Sequence, residues 1–152
     1  MRENYRRFCA AVGVTAESTV FTQQTHSENI RLVTAQDAGK GLLRPRDYTE
    51  VDALITDTPG LSLVVFSADC GTILLYDPVH RAIGAVHAGW RGVAAGLVAK
   101  TALKMHDTFG TELGDLLCAL GPAIGPCCFE TDDDVPAAMH DALGAQADPF
   151  LT

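Results

Sequence analysis

Residues 61–105 read LSLVVFSADCGTILLYDPVHRAIGAVHAGWRGVAAGLVAKTALKM, and this stretch decides the fold. Leu61 to Ser67, Thr72 to Tyr76 and Arg81 to His87 are short apolar runs of strand-like length and composition. Thr58-Pro59-Gly60 precedes the first of them, and Asp77-Pro78-Val79-His80 turns the chain between the last two. Val64-Val65-Phe66 and Ile73-Leu74-Leu75 are continuous rather than alternating, which predicts strands covered on both faces. Gly89-Trp90-Arg91-Gly92 then ends the β pattern. From Val93 to Met105, residues Ala94, Leu97, Val98, Thr101, Ala102 and Met105 share one helical face. Strands that pass through a glycine turn into an amphipathic helix predict a mixed α/β domain.

The flanks extend the same picture. Upstream, Tyr5, Phe8, Cys9 and Val12 recur at helical spacing. Ser18 to Thr22 and Asn29 to Thr34 read as strands on either side of the polar turn 23–28, and Val51 to Thr56 as a further strand. Between them, Gly39, Gly41 and Pro45 break a charged loop from Asp37 to Asp47. Downstream, Leu116 to Leu120 reads as another buried strand, followed by the loop Gly121 to Pro126. Asp132-Asp133-Asp134 suits a helix N-terminus with Pro136 in its first turn. No internal repeat or linker interrupts residues 1–152, so one domain is expected.

Composition narrows the function. With 47% hydrophobic and 20% charged residues, the chain is too apolar for intrinsic disorder. Eleven basic against 19 acidic residues, a formal net charge of −8, argue against nucleic acid or an anionic membrane as partner. Apolar runs such as Leu61 to Phe66 fall far short of the roughly 18–20 residues that span a bilayer. Arg2, Arg6 and Arg7 are interrupted by Glu3 and Asn4, and no cleavage-site pattern follows Val14. Five cysteines, an odd number that includes the adjacent Cys127-Cys128, favour reduced thiols and a cytoplasmic location.

Three reactive side chains follow apolar runs and precede turns. His26 sits in the polar turn, Cys70 in Ser67-Ala68-Asp69-Cys70-Gly71, and His87 at the end of a strand before Ala88-Gly89-Trp90-Arg91-Gly92. Borderline-soft Zn²⁺ takes imidazole nitrogen and thiolate sulfur, and three protein ligands leave a fourth position open. No short-range ligand spacing joins the three, so the residues alone also allow a buried Cys70, a core His87 and a loop His26. A cysteine hydrolase with Cys70 as nucleophile and His87 as base is a further reading. Gly89 and Gly92 at a helix start permit close backbone approach to an anion, and Arg91 offers a bidentate donor for phosphate. Asp69 suits a supporting rather than a ligating place, and Cys9 and Cys118 read as core. Cys127 and Cys128 read as structural, and His80, His106 and His140 carry no strong signal.

Four motifs in order carry a family resemblance: Gln24-Thr25-His26-Ser27, Ala68-Asp69-Cys70, His87-Ala88-Gly89-Trp90-Arg91-Gly92, and Gly121 through Glu130. In these the chain resembles the laccase-domain family, known first as polyphenol oxidases and later as purine nucleoside phosphorylases. The resemblance covers nearly the whole sequence. It implies a layered α/β/β/α arrangement with mixed sheets. It implies zinc held by the positions of His26, Cys70 and His87, acting on adenosine, inosine, guanosine or methylthioadenosine with phosphate, and an accompanying adenosine deaminase activity. Gly71-Thr72-Ile73 after Cys70, and Ser27 where many members have Gly, depart from the pattern without removing a ligand. Family members also begin with a Gly-rich segment before the first helix and continue through further strands and helices. On that pattern, residues 1–152 are expected to be a domain incomplete at both ends, prone to homo-oligomerise through apolar surface.

The mechanism this suggests places phosphate near Arg91 and a zinc centre whose ligands alone leave a net charge of about +1. An inactive truncated metal-binding module is the non-enzyme alternative. A copper polyphenol oxidase is the other, since two His and one Cys also make the core of a blue-copper site. Five histidines without an H-x-H pair cannot build a multicopper centre.

Overall fold

The computed structural model describes residues 2–151. Its helices are α1 (Arg2–Ala11), α2 (Trp90–Ala94), α3 (Leu97–Phe109) and α4 (Asp134–Leu143). Its strands are β1 (Thr19–Phe21), β2 (Ile30–Leu32), β3 (Ala53–Thr56), β4 (Ser62–Val64), β5 (Gly71–Asp77), β6 (Ala82–Ala88) and β7 (Leu117–Leu120). Two strand layers result. Five strands pair in the order β2-β3-β6-β5-β7, parallel only at β2-β3, while β1 and β4 form a separate parallel pair. The β5–β6 hairpin turns on Asp77, whose carboxylate accepts from the Val79 and His80 amides at 2.8 and 3.0 Å.

The alternation of side chains along each strand assigns the two faces of the larger sheet. One face carries Ala53, Ile55, Ile73, Leu75 and Val86, buried beneath Leu97 and Met105 of α3. Gly84 makes that approach possible, because a Cβ there would lie 3.2 Å from Met105 Sδ. On the opposite face, Leu54, Ala85, Leu74 and Ala119 lie in one row across four strands. Leu54 and Ala85 are buried under the β1–β4 layer with Val20 and Leu63, whereas Leu74 is 53% exposed. The covering layer therefore ends over β6. Beyond it lies an apolar groove of about 820 Å³, lined by Phe8 of α1 and Val12 just after it, by Leu63, and by Leu74 and Leu120.

Four expectations change here. The continuous run 73–75 does not lie in a strand covered on both faces, because β5 alternates buried and exposed residues. Leu116 to Leu120 is not a buried strand: β7 is an edge strand with all four residues exposed, Leu120 at 74%. Cys118 is consequently exposed rather than core, while Cys9 is buried as expected. The helix read over 93–105 is divided, because Gly96 adopts φ 71 between α2 and α3.

The charged loop after β2 is ordered by one carboxylate. Asp37 accepts from the Thr34 amide at 2.9 Å, the Lys40 ammonium at 2.7 Å and the Arg31 guanidinium at 3.1 Å. Burial opposes its charge, but these donors outweigh it and hold the carboxyl at about 2. A folded pKa below the unfolded one stabilises above about pH 4, and that contribution is lost as pH falls towards 2. Asp37→Asn should therefore lower stability to denaturant at pH 6, with the gap from wild type closing by pH 2. In the core, Met105→Ala should cost about 2–5 kcal/mol of unfolding free energy. Leu120→Ser, on the open edge, should stay within about 0.5 kcal/mol.

Candidate metal centre

His26, Cys70 and His87 converge: their donor atoms all lie within 4.8 Å of one another. Each arrives by a different route. His87 is near the end of β6, and the pairing of Gly71 with Ala88 brings Cys70, one residue before β5, beside it. His26 comes from the loop between β1 and β2, with its Nε2 3.6 Å from Cys70 Sγ and its ring centroid 5.1 Å from that of His87. Gly89 sits against two of them, His26 and Cys70. A Cβ there would be driven into the His26 ring and would lie 3.2 Å from Cys70 Sγ.

A residue that the sequence reading passed over holds the group in place. Asp52, immediately before β3, is wholly buried, and its Oδ1 lies 2.7 Å from His87 Nδ1. The same carboxylate accepts from three consecutive amides, those of Thr25, His26 and Ser27, at 3.0, 3.1 and 2.9 Å. The Ser27 hydroxyl lies 2.8 Å from Oδ2 and 2.6 Å from the Glu50 carbonyl oxygen. His26 adopts φ 61, a left-handed conformation that generally costs a non-glycine residue about 1–2 kcal/mol. The amide bonds to Asp52 compensate for it. Burial works against the Asp52 charge, yet the Thr25 amide, His87 and Ser27 keep its pKa below the usual carboxylate value. The one sequence signal was a lone acid opening the apolar run Val51-Asp52-Ala53-Leu54-Ile55.

The donor set fits a borderline-soft divalent metal. With His87 Nδ1 donating to Asp52, Nε2 is the ring nitrogen left with a lone pair for ligation. Burial, then the negative charges of Asp69 and Asp52, push the Cys70 thiol up. Such a thiol is a poor free nucleophile, which disfavours the cysteine-hydrolase reading, while a bound cation reverses the effect. Asp69 also ties the 121–126 loop to the centre, since its carbonyl accepts from the Ile124 amide at 2.9 Å.

An apolar cavity of about 300 Å³ opens beside Cys70, walled by Trp90, Val93, Ile124, Phe129 and Met139. Arg91 is exposed, with its guanidinium 4.0 Å from the Trp90 ring centroid. The helix it belongs to has five residues, so the dipole expected at this helix start is small. The other histidines are engaged elsewhere: His80 with Asp77, His106 with the Thr111 carbonyl and His140 with Asp148. Cys127 and Cys128 are exposed, their sulfurs 3.3 Å apart.

The family model described as multi-copper polyphenol oxidoreductase laccase matches residues 1–152. The purine nucleoside phosphorylase of Bacteroides thetaiotaomicron is 38% identical over 141 residues, covering 92% of this chain and 52% of that protein. The human purine nucleoside phosphorylase LACC1 is 33% identical over 141 residues, covering 93% of this chain and 30% of its own length. Among solved structures, Bacillus licheniformis YfiH has a TM-score of 0.91 at 33% identity, covering 97% of this chain and 56% of its own. Geobacillus stearothermophilus YlmD has a TM-score of 0.86 at 34% identity, covering 95% and 54%. The chain thus spans about half the length of these bacterial relatives.

The crowding at Gly89 makes a direct expectation. Gly89→Ala should displace the His26 ring and weaken metal uptake at least tenfold in equilibrium dialysis, whereas Gly114→Ala, which meets no neighbouring atom, should leave uptake unchanged.

Proposed function

The chain belongs to the multi-copper polyphenol oxidoreductase laccase family, and on that premise we propose that it forms the metal centre of a zinc-dependent purine nucleoside phosphorylase. The observation that carries this reading is the convergence of His26, Cys70 and His87 from three separate segments. The names of the relatives supply the reaction class. Substrates are a purine nucleoside (adenosine, inosine, guanosine or methylthioadenosine) and phosphate, with adenosine deamination as a second activity of the same centre. The reducing cytoplasm suits five unpaired cysteines.

Bound by His26, Cys70 and His87, zinc supplies Lewis-acidic positive charge next to the reacting groups. The residues around it divide the remaining work. The apolar walls of Trp90, Ile124, Phe129 and Met139 offer a purine a stacking surface that excludes water. Phosphate attacks the sugar C1′, a C–O bond forms as the glycosidic bond breaks, and the base leaves with the bonding electrons. Positioning and electrostatic stabilisation carry most of such a step. Asp52 alters the charge expected from the ligands. Its carboxylate and the Cys70 thiolate together balance a divalent ion, so the local sum is about zero rather than +1. The counter-charge for phosphate then falls to Arg91, whose guanidinium is exposed on the Trp90 side of the cavity.

The family description favours copper as a second reading, and the His₂Cys set can bind it. Against it, the three remaining histidines are engaged outside this cluster, and a multicopper oxidase needs several copper ions held close together.

Metal analysis and base release from inosine and adenosine, with and without phosphate, test the proposal. Cys70→Ala and His87→Ala should lose bound zinc and at least about 100-fold in phosphate-dependent turnover. Arg91→Ala should keep the zinc and raise the KM for phosphate. Full phosphorolysis by the Cys70→Ala protein would sink the assignment. Zinc binding without base release identifies an inactive metal-binding module, and oxidation of a phenol by copper-loaded protein restores the oxidase reading.

A further inference from the structure

We infer that Asp52 is a positioning residue that sets both histidines of the metal centre at once, through His87 by a side-chain hydrogen bond and through His26 by its backbone. The inference rests on the reading of His26, Cys70 and His87 as metal ligands. It is indifferent to which metal they hold.

The geometry is specific to this role. A carboxylate needed only to satisfy a buried histidine would use one oxygen and leave the other to solvent. Asp52 is 0% exposed, and both oxygens are engaged: Oδ1 by His87 Nδ1 and the His26 amide, Oδ2 by the Thr25 and Ser27 amides. The amides of residues 25–27 form a concave nest around an anion, and the left-handed His26 is what makes three successive N–H groups converge. Ordinarily such a nest binds an external anion. Here the anion is internal and is attached to β3, beside the strand that carries His87. The His26 loop is thereby fastened to the sheet at the one point where its ring can meet His87 and Cys70. A single carboxylate thus links two ligands 61 positions apart in the chain and fixes the His87 tautomer that leaves Nε2 free to ligate.

Cobalt(II) is the probe, since thiolate-to-cobalt absorption reports ligand geometry without turnover. Partners of ligating histidines usually contribute 10–100-fold in metal affinity. Asp52→Asn keeps the shape of the side chain but turns an amino group toward donors. It should weaken cobalt binding by about 10–100-fold and shift the thiolate band. Ser27→Ala removes only the hydroxyl contact to Asp52 from the carboxylate's partners, with that hydroxyl's bonds to Glu50 and Asn29, at a partly exposed residue, and should cause a smaller loss in the same direction should Asp52→Asn fold poorly. A purely structural Asp52 would lower thermal stability while leaving the affinity and spectrum of the folded fraction at wild-type values, and that result overturns the inference. Should the wild-type chain bind no cobalt or zinc at all, the metal-centre reading itself fails. Wild-type binding with an unchanged Asp52→Asn spectrum sinks only the positioning role.

Discussion

A carboxylate with no exposure to water cannot remain ionised unless donors surround it. Asp52 meets that condition by drawing in His87 Nδ1 and three successive backbone amides. The rest of the candidate centre depends on that requirement. The amides come from the segment that carries His26, so satisfying the charge places the second imidazole near the first. The same bonds offset the left-handed backbone at His26. Cys70 is then delivered by sheet register alone, through the Gly71–Ala88 pair. Two ligands are held by hydrogen bonds to one acid and the third by a ladder.

The two layers explain why the centre lies at one end of the sheet. His87 and Asp52 project from the face covered by the β1–β4 pair, and His26 lies in the loop that leaves β1. The opposite face is closed by α3, which Gly84 admits to close range. A rigid sheet between the two cores can hold three donor atoms within 4.8 Å without a disulfide or a long helix. The cover over β5 and β7 is thinner. Leu74, Tyr76 and Leu117 remain on an apolar surface in a chain about half the length of its bacterial relatives.

Electrostatics separate the tasks within the site. Burial and neighbouring carboxylates disfavour a free Cys70 thiolate, so a charged sulfur there would need a cation beside it. With a divalent ion in place, Asp52 and that thiolate would bring the total close to neutral. Arg91 is exposed, its guanidinium stacked on Trp90, which walls the apolar cavity.

Much was legible in the sequence. Runs such as 81–87 and 72–76 give the strands because β-branched and apolar composition is a local property, and Gly89 marks the turn for the same reason. The ligand candidates could be named because each followed or closed such a run and preceded a turn. Whether a continuous apolar run is covered on both faces is not local: residues 73–75 looked doubly buried, and β5 is open on one side because the second layer stops over β6. Leu117 and Ala119 are exposed for the same reason, whereas Cys118, paired with Leu75 on the α3 side, is exposed because β7 is the edge strand of the sheet. Asp52 was hidden because its meaning lies in partners 25 to 35 residues away. Sequence by itself determined the element types and the chemistry available, since those follow from side chains and local backbone preference. Only tertiary structure decided which faces are covered and that Asp52 joins His26, Cys70 and His87, because burial and hydrogen-bond satisfaction belong to the assembled chain.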